Sequence, residues 1–414
     1  MSVSNTKSFT LIELLIVIGI LAILVAAVVV TLNPAQLLAQ ARDSKRQQDL
    51  SALNQVLNTI YALDQTTSFG TSSTIYTSLP DSTTTCANWN LPSLPSGWQY
   101  HCSPTTTLQN TDGTGWIPVN FKTTGVVSLA SLPIDPINAS SSNLFYTYVS
   151  GGSFELNGIL ESSKYRSNTS LSKPNFPGVL SYGSNQALSP LYNTSGLVGY
   201  WNFDEGSGTI ANDKSGNGNN GTLLNGPTWT SGKIGGGLAL NNLNSYVSVP
   251  STSSLEYSGG DFTVSVWENE TEADQANVVS KPWNGGGQYN YRIFCDGNGN
   301  VGVSLSGATS WSTSWIFVEK NQWHNIVFSI VGASSTVNFY VDGVLRYTGT
   351  HSISSWVPPS GDSSVPLSLG TYYPYGSSWV GNASFTFGGL IDDVRIYNRA
   401  LSASEVQALY NATK

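Results

Sequence analysis

From Phe9 to Leu32 the chain reads FTLIELLIVIGILAILVAAVVVTL, almost without polarity. As a helix rising 1.5 Å per residue, about two dozen residues cover a hydrocarbon core of about 30 Å. Such a segment has to be hidden in lipid or in protein. Its leader, MSVSNTKS, holds one Lys, and polarity stops abruptly at Phe9. A secretory signal would instead set a shorter apolar run before a small-residue cleavage site. The single charge inside the run is Glu13, and an ionisable group at that depth is costly enough to point to function.

These residues resemble the amino-terminal signature of type IV pilins and pseudopilins. In that family a prepilin peptidase removes a short basic leader before a Phe, the new amino group is methylated, and a Glu four residues on stays in the helix. Phe9 and Glu13 match those positions; Ser8 stands where the family usually has Gly, and is also small. The resemblance implies cleavage between Ser8 and Phe9, methylation of Phe9, and assembly through Phe9 and Glu13. In a filament core without water, the amine of one Phe9 neutralises Glu13 of a neighbouring copy and sets the stagger between subunits. The implied partners are further copies of the chain in a helical filament, the prepilin peptidase with the pilus assembly machinery, and the cytoplasmic membrane before assembly. The expected localisation is a single-pass transmembrane helix in the precursor, then an extracellular surface filament.

Pro34 removes one backbone donor but helical periodicity resumes after it, which predicts a kink or a locally loosened turn rather than a stop. Leu50, Leu53, Val56, Leu57, Ile60 and Leu63 recur at three- and four-residue steps and mark one stripe for packing on the following domain. The preceding ARDSKRQQD, with Arg42, Lys45 and Arg46 beside Asp43 and Asp49, leaves a solvated helical face or intersubunit salt bridges open, the solvated face being the simpler reading.

The chain has 414 residues, two or three domains at about 150 residues each. Only 10% are charged and 40% are apolar. Beyond residue 65, Ser, Thr, Asn and Gly crowd the turns between short strands, so the globular part is expected to be mostly β. Net charge is -8, and no basic cluster is dense enough to neutralise a run of phosphates, so nucleic acid is not an expected partner. Residues 66–190 alternate apolar runs with polar turns and read as a small antiparallel sheet. Within them LPIDPIN followed by LFYTY resembles the Leu-Pro-x-Asp-Pro turn of major pseudopilins, with Asp135 as a turn residue. Cys86 and Cys102 are spaced for a disulfide that closes a loop worth about 3 kcal/mol; the plain alternative is two buried thiols. Cys295, in YRIFCD, reads as a core residue. Residues 174–195, rich in Pro, Ser, Asn and Gly, read as a linker.

From Gly196 aromatic-rich strands alternate with DKSGNGNNG, DGNGN and DG turns, which predicts a two-sheet sandwich. GLVGYWNFDEGSGT, FTVSVW, QWHNIVFSI, VNFYVDGVLRYTG and GGLIDDVRIYNRALSASEVQALY resemble LamG-like domains of the concanavalin-A-like jelly-roll superfamily. The organisation is therefore a leader at 1–8, a long hydrophobic then amphipathic helix at 9–65, a pilin-like β domain at 66–173, a linker at 174–195 and a LamG-like sandwich at 196–414. The fold class is an α+β pilin, its long helix packed on a small antiparallel sheet, followed by an all-β two-sheet jelly-roll sandwich. Trp201, Trp267 and Trp323 read as core aromatics.

Two binding chemistries are open in the sandwich. Asp204, Asp213, Asn217, Asn219 and Asp392 carry hard oxygens suited to Ca²⁺, and the resemblance implies calcium at that rim in some members; equally, the Asn and Gly of the loop can simply supply left-handed backbone. Asp296 and Asp342 read as hairpin turns. Trp311, Trp315, Trp356, Tyr372, Tyr373, Tyr375 and Trp379 lie in loop-like stretches, where flat aromatic faces suit the C–H patches of sugars. Glu268, Glu270 and Glu272 sit at two-residue steps, so on a strand they share one face. They do not reproduce the Glu-x-Asp-x-x-Glu of jelly-roll glycosidases, and an enzyme is not expected. The expected function is a pilus-like filament subunit whose lectin-like domain adheres to glycans or other cells. The rivals are a secretion pseudopilin, a purely structural shaft and an exported glycosidase.

Overall fold

The computed structural model of the chain describes residues 11–414 except 64–66, 90, 92–93, 95–96, 123–128, 152, 167, 169–171, 174, 193, 242, 273–274, 283–288, 306–314, 351–364 and 372–385; residues 22–32 and 289 are described by backbone alone.

The amino-terminal helix is two helices. α1 spans Leu11–Leu32 and α2 spans Pro34–Leu63. Asn33 between them has φ 40°, a left-handed conformation that Asn tolerates better than most residues. Pro34 opens α2, where a missing N–H costs nothing, and the amides of Gln36 and Leu37 bond back to the Asn33 carbonyl. The single long helix expected over 9–65 is therefore corrected to a pair joined at a left-handed residue.

The expectation of a membrane span is also overturned. Among the described residues no helix is long and apolar enough to cross a membrane. The described side chains of α1 run from 11 to 21, about 16 Å of helix against a core of about 30 Å, and Glu13 lies among them. The transmembrane helix and the single-pass precursor in the cytoplasmic membrane fall with that finding.

α2 is amphipathic, as its period requires. Leu50, Leu53, Leu57 and Ile60 are fully buried, Val56 is partly buried and Leu63 is exposed. The stripe packs on a six-stranded sheet built from β1 (Thr74–Pro80), β2 (Gln99–Ser103), β3 (Thr147–Ser150), β4 (Phe154–Ile159), β5 (Ser172–Lys173) and β6 (Phe176–Tyr182). The order is β2-β1-β3-β4-β6-β5. Ladders are antiparallel except β1 with β2, which are parallel, so the small sheet is mixed rather than wholly antiparallel. Trp116, Tyr146, Phe154 and Leu180 complete the core beneath the helix. The stretch 174–195 is not a linker. It contains β6, an inner strand with Phe176, Val179 and Leu180 buried, and then the buried turn Pro190–Tyr192. Its Gly and Ser marked turns within a sheet instead of a flexible tether.

From Leu197 the chain forms two eight-stranded antiparallel sheets that face each other across one apolar core. In one sheet Phe262–Glu270 lies between Gly389–Tyr397 and His324–Val331; the other is centred on Tyr289–Cys295, Ala276–Pro282 and Leu367–Leu369. Strand alternation assigns the faces: Phe262, Val264 and Val266 enter the shared core, and Trp267 points the other way.

The opposite face is covered by α4, Ala403–Thr413, which follows α3, a single turn at Ser163–Arg166. Ser402 and Glu405 make a capping box at the start of α4. Trp267 Nε1 donates to Thr413 Oγ1 at 2.9 Å and its ring stacks on Tyr410. The other side of α4 meets the small sheet. Val406, Leu409 and Ala412 share one buried cluster with Ile159, Phe176 and Val179 of the small sheet and with Tyr200, Val327 and Tyr340 of the sandwich. Burying side chains of the Val and Leu type stabilises by about 1.5–3 kcal/mol each. Arg166 clamps the end of the helix, donating to the Ala412 carbonyl at 2.9 Å and to the Lys414 carbonyl. The two β units thus share a packed joint.

Candidate functional site

The run ARDSKRQQD is not a solvated face. The side chains of Arg46 and Asp43 are fully buried. Arg46 Nε and Nη2 donate to Asp135 Oδ2 and Oδ1 at 2.6 and 2.9 Å, and Nη1 donates to Asp43 Oδ1 at 2.8 Å and to Glu161 Oε2 at 2.6 Å. Arg42 grips Glu161 from outside at 2.7 and 3.0 Å. A planar fork facing a carboxylate is the strong, bidentate form of ion pair. Asp135 also accepts the Ile137 amide, so it holds both its own turn and the α2 arginine. Asp43 takes the Ser162 amide and hydroxyl through its other oxygen.

Of the processing residues, Ser8 and Phe9 lie outside the described residues. Glu13 sits in the first turn of α1 and is exposed, where a carboxylate also complements the helix dipole. Cys86 and Cys102 form a disulfide, packed with Leu79 and Phe145.

The five oxygen donors considered for Ca²⁺ fall into two places. Asp213 Oδ1 accepts the amides of Tyr200 and Ser215, and Oδ2 accepts that of Asn219. Asn217 and Asn219 donate to the carbonyls of Leu197 and Val198. This loop is tied to its neighbouring strand by hydrogen bonds. Asp204 and Asp392 instead hold the Gly232–Gly236 turn, accepting the amides of Gly236 and Ile234. Asp392 is fully buried, and burial raises its carboxyl well above the usual range. Among the described residues no group of three or more His, Cys, Asp or Glu is placed to hold a metal.

Glu268 and Glu270 share the inward face of their strand with Val264 and Val266, and both are buried. Among the described residues none of their four carboxyl oxygens has a hydrogen-bond partner. Burial, then the charge of Glu270, pushes Glu268 up to about 8; burial pushes Glu270 up to about 6. Glu272 lies past the strand end and is exposed, so the three do not line one face, and the first two are interior. Cys295 lies in the core beside them, its thiol raised by burial and then by Glu270 and Glu268. His324 pairs with Asp342 at 2.8 Å, while Asp296 caps its own hairpin through the Asn298 and Asn300 amides.

Of the glycan candidates, Trp315 is described. It is 42% exposed and meets Phe294 edge-on at 4.9 Å. Trp311, Trp356, Tyr372, Tyr373, Tyr375 and Trp379 lie outside the described residues. Trp201 and Trp267 are fully buried and Trp323 is half-buried.

Family models match at both ends of the chain. Residues 3–29 match the prokaryotic N-terminal methylation motif, and residues 241–407 match the concanavalin A-like lectin/glucanases superfamily. The chain therefore joins a prepilin-type methylation motif, which implies processing by a prepilin peptidase, to a LamG-like, concanavalin-A-like domain. No curated protein matches the chain. Solved structures similar to it include the binding domain of Paraclostridial Mosquitocidal Protein 1, at 18% identity over 52% of this chain and 52% of that one, with a TM-score of 0.42. Domain 4 of the extracellular arabinanase AbnA from Geobacillus stearothermophilus matches at 23% identity over 52% of this chain and 98% of that one, TM-score 0.38. Trypanosoma rangeli sialidase matches at 14% over 64% and 44%, TM-score 0.42. The chain thus spans about half the length of the first of these.

Proposed function

We propose that the chain is a subunit of a type IV pilus-like surface filament that carries a lectin-like jelly-roll sandwich for adhesion to glycans or to other cells. One observation carries the reading: a prepilin-type methylation motif and a concanavalin-A-like domain occur in one chain. The packed joint made by α4 supports it, because a binding head fixed to its stalk keeps a defined orientation on every subunit. Many weak sites held in one array gain avidity without any new contact. α1 and α2 serve as the pilin-type assembly helix, with Glu13 taking the methylated amine of Phe9 from the next copy. We read the protein as non-enzymatic, with Glu268 and Glu270 closed inside the sandwich.

The test is mass spectrometry of filaments sheared from cells. A mature chain beginning at methylated Phe9 is expected; a chain that keeps Met1 and is never recovered in filaments overturns the proposal. Electron microscopy of whole cells separates a surface filament from the short piston of a secretion pseudopilus.

A further inference from the structure

Among the described residues one sheet of the sandwich ends at a short edge strand, Ile316–Phe317, paired with Asn300–Leu305. Val301, Val303, Leu305 and Val318 enter the core and Ile316 packs against it, so strand alternation turns Gly302, Trp315 and Phe317 outward. Trp315 is 42% exposed and Phe317 is 65% exposed, and two residues of strand separate them by about 7 Å. Both rings are braced from beside. Phe294 meets Trp315 edge-on, and the Arg292 guanidinium lies over the Phe294 ring at 4.0 Å. Glycines make the room: a Cβ at Gly302 would come within 3.0 Å of Phe294 and 3.4 Å of Trp315, and one at Gly299, whose φ is 83°, within 3.2 Å of Phe317.

The edge also supplies polar groups. The Val318 amide bonds to the Gly299 carbonyl, and an antiparallel ladder turns alternate residues towards the partner strand. The N–H and C=O of Phe317 therefore point to the open edge, one donor and one acceptor beside the rings. The neighbouring cations are engaged: Lys320 Nζ donates to the carbonyls of Glu272 and Gly297, and Arg292 donates to Asn277 Oδ1 while resting on Phe294. Neither is left to take a carboxylate or a sulfate.

Size selects the occupant. Side chains of this kind bury about 150–250 Å² each, so the exposed parts of the two rings amount to about 200 Å². A stable protein interface needs about 800 Å² per partner, whereas a strip of two rings matches two sugar rings. We propose that this edge is a carbohydrate site for two consecutive uncharged pyranose units, whose C–H faces lie on Trp315 and Phe317 and whose hydroxyls bond the Phe317 main chain. The proposal rests on the lectin-like reading above and gives it a place and a sugar class.

The experiment is calorimetric titration of the full chain with cellohexaose, mannohexaose and galactohexaose, alongside sialylated and sulfated oligosaccharides. Trp315→Ala and Phe317→Ala each delete one ring from an exposed position. At least one neutral sugar is expected to bind, and each variant is expected to weaken it about 10-fold or more with the thermal melt preserved. If one variant fails to fold, the other alone decides. Neutral-sugar binding unchanged in a folded variant overturns the edge site while leaving the lectin-like reading intact. Binding of charged sugars alone overturns the uncharged class. Self-association that sedimentation detects and Phe317→Ala abolishes assigns the rings to a second copy and overturns the sugar. Binding of no glycan, neutral or charged, overturns both the edge site and the adhesive reading.

Discussion

Arg46→Ala removes the one cation that Asp43, Asp135 and Glu161 all face. Arg46, Asp43 and Asp135 have fully buried side chains, so truncation leaves carboxylates in a poorly solvated joint instead of exchanging one solvated pair for another. Breaking a buried pair in this way costs about 3–5 kcal/mol. Amide and hydroxyl donors stay on Asp43 from Ser162 and on Asp135 from Ile137, which places the expectation near the lower bound, about 3 kcal/mol. For a unit of about 200 residues that corresponds to a fall of about 6–12 °C in melting temperature. Circular dichroism melts and urea titrations of the full chain measure it, read from the transition of the helix and small sheet. The double variant Arg46→Met with Asp135→Leu is expected to recover part of the loss, because apolar replacement of a buried pair is often near neutral. Loss below about 1 kcal/mol in Arg46→Ala, or no coupling between positions 46 and 135, refutes the reasoning.

Three further outcomes follow from the same geometry. Glu268 holds its proton to about pH 8 when folded, against an ordinary value of 4.5. The folded state therefore binds more protons between those values, so stability is full below pH 4.5 and is lost as pH rises towards 8; Glu268→Gln should flatten that slope and raise the melting temperature at pH 8, and an unchanged profile refutes the assignment. Replacing Cys86 and Cys102 together by Ala should cost about 3 kcal/mol, from the 16-residue separation they close, with a loss under about 1 kcal/mol in denaturant titration counting against it. Chelation of divalent ions should leave the sandwich melt unmoved, since Asp213 is already filled by three amides; a marked rise on adding millimolar Ca²⁺ contradicts this.

Local pattern carried well wherever one element decides its own burial. The stripe from Leu50 to Ile60 follows from helical period, and the inward Phe262, Val264 and Val266 follow from strand alternation. That alternation also places Glu268 and Glu270 inside, so parity decides their burial although carboxylates ordinarily favour water. Arg46 is illegible for a different reason. Its partners Asp135 and Glu161 are 89 and 115 residues away, and nothing within a helical window distinguishes a buried arginine from a solvated one. The break at Asn33 was half legible: Pro34 signalled a disturbance, but its place as the first residue of a new helix depends on the left-handed φ before it. The turn residues of 174–195 looked like a tether because Gly and Ser mark tight corners in sheets as readily as loose chain.

The seating of α4 against both β units has a mechanical corollary. A head on a slack tether swivels, and a tug on it straightens the tether before any load arrives. In the filament proposed above, a load on the sandwich would pass at once through Trp267, Tyr410 and Val406 into the small sheet and on to α2, so drag on a captured surface would reach the stalk as torque, with a fixed lever arm and a fixed direction.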